Sequence, residues 1–375
     1  MVTATSLPGE TRSASKTGLN LRIERNPVVF APIWKDLEAR YDPAGLATSW
    51  SWTGTWLDAY GDAIDHWVVI AEHDNEPVGI ALLTRGLAQR RGPLPVRTVH
   101  IGTAGEAPGE GVWIEYNRIL AAPEHKAAFL AQLCHAPGVR IGSADVLQLD
   151  GFAPEELDGL AQGRGKHVVR PCYAAVLEPA GDPMESFDRE TRRKLRNGIR
   201  RFTEEFGELQ TEWIAEPDRA GEVLNELIDL HQERWVNVGE PGAFASVRFR
   251  AFHDQLIRKR IENQGVVLVR VTAGDQLIGV FYGLVERGVI FHYQWGLASF
   301  TDNRFAPGFV TGYLVIDEAR KRGFLELNWL AGDSRYKKDL STVEHSLVWM
   351  EVPLSPWMYT VSGLISAKRT LRGRR

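Results

Sequence analysis

The sequence predicts a mixed α/β fold with a partly antiparallel sheet, built as two halves of similar rhythm. Three observations carry this. Alternating runs such as "HWVVIAEHDNEPVGIALL" and "VVLVRVTAGDQLIGVFYGLVERGVIFHYQWGL" predict antiparallel strands joined by tight turns at Asp-Asn, Gly274-Asp275 and Arg287-Gly288. Segments of helical period sit between the strand groups. In each half the order is helices, a meander, a helix, then a strand, unlike the regular alternation of a dinucleotide-binding domain. No G-x-G-x-x-G occurs.

Element by element, a short helix is expected over Pro32–Tyr41 and another over "TGTWLDAYG", with Thr53 as N-cap and Gly61 as its stop. The first strand pair follows, then "PVRTVHIG" as a third strand. "EHKAAFLAQLCHA" predicts a helix ended by Pro137-Gly138, "ADVLQLDG" a strand, "APEELDGLAQGRG" a helix and "RPCYAAVLE" a strand. The second half opens with the helix "ETRRKLRNGIRRFTEEFG" and the strand "ELQTEWIAE". Two longer helices follow, "DRAGEVLNELIDLHQERWVNVG" and "SVRFRAFHDQLIRKRIENQG". After the three-stranded meander come the helix "GFVTGYLVIDEARKRG", stopped at Gly323, and the strands "FLELNWL" and "VEHSLVWMEVPL".

A length of 375 residues suits two domains, and 44% hydrophobic with 25% charged residues is an ordinary globular balance. The expected boundaries are a tail at 1–19, modules at 20–178 and 179–355, and a basic tail at 356–375 that ends in "AKRTLRGRR". The Ser/Thr-rich start predicts disorder and not a signal peptide. No run approaches the roughly 20 apolar residues of a membrane span. The two cysteines, Cys134 and Cys172, lack metal or disulfide spacing, which fits a reducing cytoplasm. A net charge of −4 argues against a generally basic nucleic-acid coat, so any such contact is local. The early tryptophans Trp50, Trp52 and Trp56 predict a packed aromatic corner.

Against that acidic background, "FDRETRRKLRNGIRRFTEEFG" stands out. Arg189, Arg193, Arg196 and Arg200 follow a 4-3-4 spacing and form one stripe, with Arg192 on its flank and Lys194 and Arg201 nearby. Leu195, Ile199, Phe202 and Phe206 form the apolar stripe opposite. A solvated face more often mixes signs. The positive stripe suits phosphates: those of coenzyme A, of a tRNA acceptor stem, or of an anionic polysaccharide.

Several stretches together resemble the GNAT (N-acetyltransferase) superfamily in its CelD-type, BioF2-like branch, and the related Fem-type tandem-GNAT aminoacyl transferases. They are "WTGTWLDAYGD" with "EPVGIALL", the basic helix, "HQERW", and above all "APGFVTGYLVIDEARKRGFLELNWLAGDSRYKKDL". The resemblance covers most of 20–350. It implies two GNAT-like modules in tandem, the first degenerate, and acyl transfer to an amine. The donor it implies is acyl-CoA, with an aminoacyl-tRNA as the Fem-type alternative and a non-catalytic scaffold as a third reading. No metal is implied.

The site residues follow from residues and resemblance together. "RFAPGFVTG" replaces the usual double-glycine pyrophosphate loop. It leaves Gly308, Phe309 and Gly312 as the expected donor contacts, with Arg193, Arg196 and Arg200 from the stripe. On "GVIFHYQWGL", alternation places Ile290, His292 and Gln294 on one face and Phe291, Tyr293 and Trp295 on the other. His292 is the expected general base, and Tyr293 and Trp295 are expected at the substrate. His231 and Trp235 share a helix face that can line an acceptor pocket. "AGDSRYKKDL" offers Asp333 to orient an amine and Lys337 to stabilise developing negative charge. The resemblance singles out Tyr336 and Lys337, whose Fem-type counterparts lie near the active site. The family often has Asp where this chain has Asn328.

Overall fold

The computed structural model describes residues 13–14 and 18–360, apart from 88, 92–93, 108, 113, 136–143, 158–159, 161–165 and 359. Most of both expected tails, including "AKRTLRGRR", lies outside the described residues.

The first half runs β1 (Ser13–Ala14), β2 (Asn20–Glu24), α1 (Pro27–Tyr41), α2 (Trp50–Tyr60), β3 (His66–His73), β4 (Glu76–Arg85), β5 (Gln89–Arg91), β6 (Leu94–Val96), β7 (Thr98–Ile101), β8 (Leu120–Ala121), α3 (Pro123–His135), β9 (Val146–Phe152) and β10 (Lys166–Val176). The second runs α4 (Arg189–Phe206), β11 (Leu209–Trp213), α5 (Pro217–Asn237), α6 (Val247–Arg260), β12 (Val266–Ala273), β13 (Gln276–Glu286), β14 (Val289–Leu297), α7 (Pro307–Lys321), β15 (Glu326–Ala331), α8 (Arg335–Asp339) and β16 (Val343–Pro353).

Local chemistry explains where these elements differ from expectation. Asn26 caps α1 by accepting from the Val28 N–H, so the helix starts at Pro27 and runs through Pro32. Ser49, not Thr53, caps α2; its oxygen accepts the Trp52 N–H, and Thr53 is buried inside the helix. The strand expected over "PVRTVHIG" breaks at Arg97, whose N–H and guanidinium both bond Asp145. Of "APEELDGLAQGRG", a 3-10 turn at Pro154–Leu157 forms, and much of the remainder lies outside the described residues.

One sheet runs through both halves in the order β1-β2-β3-β4-β7-β9-β16-β10-β15-β14-β13-β12-β11, with β8 on β4. Each half is an antiparallel meander that ends in a parallel pair, β7 with β9 and β14 with β15. The closing strands are exchanged. β10 follows β9 in the chain yet pairs with β15, and β16 follows β15 yet pairs with β9. The two exchanged strands pair with each other from Lys166↔Glu351 to Ala174↔Val343 and weld the halves.

On one face, α1, α2, α5 and α6 share a single buried cluster that includes Trp52, Trp56, Tyr60, Phe249, Phe252 and Tyr282. On the other face of the second half, α4 and α7 bury Leu195, Phe202, Val310 and Ile316 against the sheet. In α4 the buried and positive stripes fall on opposite sides, as the spacing predicts.

Leu347, fully buried on β16, tests the exchange. Leu347→Ala is expected to cost about 2–5 kcal/mol. Hydrogen–deuterium exchange should then show protection falling in both halves together, not in the second alone.

Candidate active site

β14 and β15 pair only over Val289–Phe291 and Glu326–Asn328, and beyond that they part. Three local features hold the opening. The first is a bulge. Tyr282 faces Gln294 while Gly283 faces His292, so Tyr293 is an extra residue in β14. The second is close packing. A Cβ at Gly296 would meet the Leu227 carbonyl at 2.5 Å, so glycine lets α5 lie flat on β14. The third is a kink at Leu330, whose φ of 62° is left-handed. For a bulky residue this costs on the order of 1–3 kcal/mol.

The kink is gripped from several sides. Asn328 Oδ1 accepts the Leu330 N–H at 2.9 Å. Lys337 Nζ donates to the carbonyls of Leu330 and Ala331 at 3.3 and 2.7 Å. Glu115 Oε2, from the first half, accepts the Ala331 N–H at 2.6 Å. Asn328 also donates to the Tyr116 hydroxyl at 2.8 Å and to Glu326 at 3.0 Å. At this position the neutral amide donates and accepts at once, which a carboxylate cannot do.

Aromatic rings wall the opening. His292 lies 4.7 Å from the Trp295 ring and 5.4 Å from Trp329, and Tyr336 lies 5.0 Å from Trp295. Strict alternation puts Trp295 on the far face from His292. The bulge at Tyr293 reverses the alternation and brings them together. Tyr293 itself packs on the opposite face, 4.8 Å from His253 and 6.5 Å from Trp52. His292 Nε2 is buried without a partner, and burial pulls the imidazole down to about 3, so the ring is neutral. Burial pushes the Tyr336 hydroxyl up to about 12.

Lys337 and Glu115 are half-buried groups of opposite charge that attract each other across the halves. Desolvation pulls Lys337 below its ordinary value and lifts Glu115 above its own, in each case more than the attraction between them restores. Asp333 is elsewhere. It is exposed, pairs with Lys338 and lies 3.4 Å from the Tyr173 hydroxyl.

α7 starts beside the opening. A Cβ at Gly308 would lie 3.1 Å from Leu297 and 3.5 Å from Trp295, so glycine brings the helix start onto β14. Ala306 gives no side-chain cap, Pro307 has no N–H, and the Phe309 and Val310 N–H groups turn back to the Ala306 carbonyl. The Gly308 N–H is what remains for an anion, with Lys194 stacked 3.9 Å over the Phe309 ring. Gly312 has a packing role, since a Cβ there would press on Leu340 and Trp329 at 2.8 and 3.1 Å. α4 packs its buried face on this helix, and on its outer face Arg189, Arg193, Arg196 and Arg200 stand exposed, without an ion pair to any described residue. Lys194 and Arg201 reach Asp339 and Asp302.

The end of α5 lies near the same mouth, close enough for Arg234 to act on the Tyr336 hydroxyl. His231 turns inward, 5.0 Å from Phe244 and 5.9 Å from Trp235, and Trp235 is exposed. The structure thus gathers His292, Trp295, Tyr336, Lys337 and Gly308. Tyr293, His231 and Asp333 lie apart from them.

Sequence reasoning missed Glu115 and Tyr116. They sit in the loop between β7 and β8 and reach into the second half. An acid inside the apolar "VWIEY" was the available signal. The first half holds little free space of its own. Between Trp34, Trp52, Thr103, Asn117 and Arg118 only about 10 Å³ is free, barely room for a water. Among the described residues no group of three His, Cys, Asp or Glu is placed to hold a metal, and no helix is long and apolar enough to cross a membrane.

Glu115 gives a signed pH test. Its pKa in the folded protein is raised, so its contribution to stability is complete below its ordinary 4.5 and is lost as pH rises through the raised value. Glu115→Gln removes this loss. Melting temperatures between pH 4 and 8 should favour the variant more as pH rises; parallel curves would contradict the half-buried carboxylate.

Residues 189–338 match the acetyltransferase (GNAT) domain family. No curated protein matches the chain by sequence. Among solved structures, FemX has a TM-score of 0.52 at 11% identity and covers 82% of this chain and 92% of its own. L-PGS from Bacillus licheniformis has a TM-score of 0.53 at 9% identity, covering 91% and 98%. A tandem GNAT protein from the clavulanic acid biosynthesis pathway has 0.47 at 13% identity, covering 89% and 99%. At these identities the structural likenesses speak for the fold. Residues 189–338 thus match the GNAT acetyltransferase domain family, and the chain as a whole shares its fold with FemX and L-PGS.

Proposed function

We propose that the chain is an N-acyltransferase that presents an acyl group at the β14–β15 opening and passes it to a primary amine. The donor the geometry supports best is an aminoacyl-tRNA. The observation that carries this is the free arginine stripe on the exposed face of α4, the helix whose buried face packs against α7. From Arg189 to Arg200 it spans roughly 16 Å at 1.5 Å per residue, longer than one phosphate group needs and suited to a polyanion. Acyl-CoA is the second reading. The Gly308 N–H and Lys194 favour it, since they can hold one phosphate. The several free N–H groups of a pyrophosphate loop are not there.

The chemistry needs no enzyme nucleophile. A neutral amine attacks the acyl carbonyl, and a C–N bond forms as the ester or thioester bond breaks. The amine proton goes to a base, and the leaving oxygen or sulfur takes a proton. Lys337 has three N–H donors, two of them engaged by the Leu330 and Ala331 carbonyls. The third is available to the oxyanion that develops in the transition state. His292, neutral and held among rings, shapes the acyl end of the site. Trp295, Trp329 and Tyr336 exclude water that would otherwise hydrolyse the donor.

Two measurements test this reading. Bulk aminoacyl-tRNA should bind with strong salt dependence, and replacing Arg193, Arg196 and Arg200 by alanine should flatten the salt slope by about one for each arginine removed. Saturable, salt-insensitive acetyl-CoA binding that Gly308→Val abolishes would favour the second reading. Lys337→Met should lower transfer by about 10²-fold or more while circular dichroism stays unchanged. Unchanged turnover would remove Lys337 from the chemistry.

A further inference from the structure

A second cavity lies on the opposite face of the sheet, at the seam between the halves. It is a cleft of about 350 Å³, lined by Tyr116, Glu155, Phe291, Glu326, Asn328 and His345 among others. That is the size of a small-molecule site. Among the described residues no lysine or arginine lines it, and its carboxylates are Glu155 and Glu326. Phe291 and Asn328, the last paired residues before β14 and β15 part, are among its most buried lining residues. The cleft therefore approaches the opening from the side away from His292 and α7.

We infer that this cleft holds the acceptor as an ammonium-bearing small molecule, and that His345 is the base that receives the amine proton. The inference rests on the acyl-transfer reading above. His345 Nε2 lies 3.2 Å from Glu326 Oε2, and the other Glu326 oxygen accepts from Asn328 at 3.0 Å. A carboxylate bonded to Nε2 fixes that nitrogen as the donor and leaves Nδ1 to accept. The carboxylate also stabilises the imidazolium once formed, and the half-exposed ring can pass its proton to water. His292 has no such orienting partner and lies on the wrong face. The rings of Tyr116 and Phe291, 4.9 Å apart, give an incoming ammonium an aromatic wall. The same Asn328 that supports the Leu330 kink thus also holds the base's carboxylate.

The test separates acceptor binding from donor use. Calorimetry with n-butylammonium chloride, n-butanol and sodium butyrate reads the cleft without any donor. Saturable binding of the ammonium alone is expected, weakened tenfold or more in Glu326→Gln. Glu155→Lys on the exposed rim should weaken it similarly if Glu326→Gln fails to fold. His345→Gln should bind the probe within about threefold of wild type and lose amine acylation by about 10²-fold in kcat, with donor binding intact. Absent ammonium binding, binding indifferent to both carboxylates, or full turnover in His345→Gln would each overturn the inference. Absent donor binding in the wild type would instead overturn the acyl-transfer reading.

Discussion

The structure depends on how the left-handed backbone at Leu330 is held. A parallel pair of strands gains hydrogen bonds by staying together, so an opening between them needs a local force. Here the force is polar and shared. Asn328 satisfies the kink's N–H, Lys337 its carbonyls, and Glu115 the N–H that follows. None of these groups is cheap to bury. Lys337 and Glu115 both lose more hydration than their mutual attraction returns, so the chain maintains a costly arrangement where the strands part. Strain and desolvation of this kind collect at sites that do chemistry.

The exchange of β10 and β16 gives the kink its partner. Because each half closes with the other's last strand, the β7–β8 loop of the first half lies against β15 of the second. The second half alone would lack Glu115 and Tyr116. The first half has little free space between Trp52, Asn117 and their neighbours, and contributes a wall and a carboxylate to the second. Arg118 adds a further tie, reaching Glu286 at 2.6 Å across the seam.

Much of this was legible in the residues. The meanders, their turns at Asp74-Asn75 and Arg287-Gly288, and the two-sided α4 follow from period and turn chemistry, which act locally. Tyr336 and Lys337 are singled out by resemblance, and Trp295 as a substrate residue on the strand. Three things were not legible. The bulge at Tyr293 adds one residue without a glycine to mark it, so alternation put Trp295 on the wrong side of the strand. The strand exchange is a choice between equivalent edges, and no local pattern distinguishes them. Glu115 reaches its partner across more than 200 residues of chain, and only its apolar neighbours hinted at burial.

The most direct measurement is hydrogen–deuterium exchange of the protein with and without aminoacyl-tRNA, followed peptide by peptide. The account predicts that donor binding slows exchange at 292–297 and 329–337, on both sides of the opening, and along the exposed face of 189–200. Protection confined to the first half, with 329–337 unchanged, would contradict it.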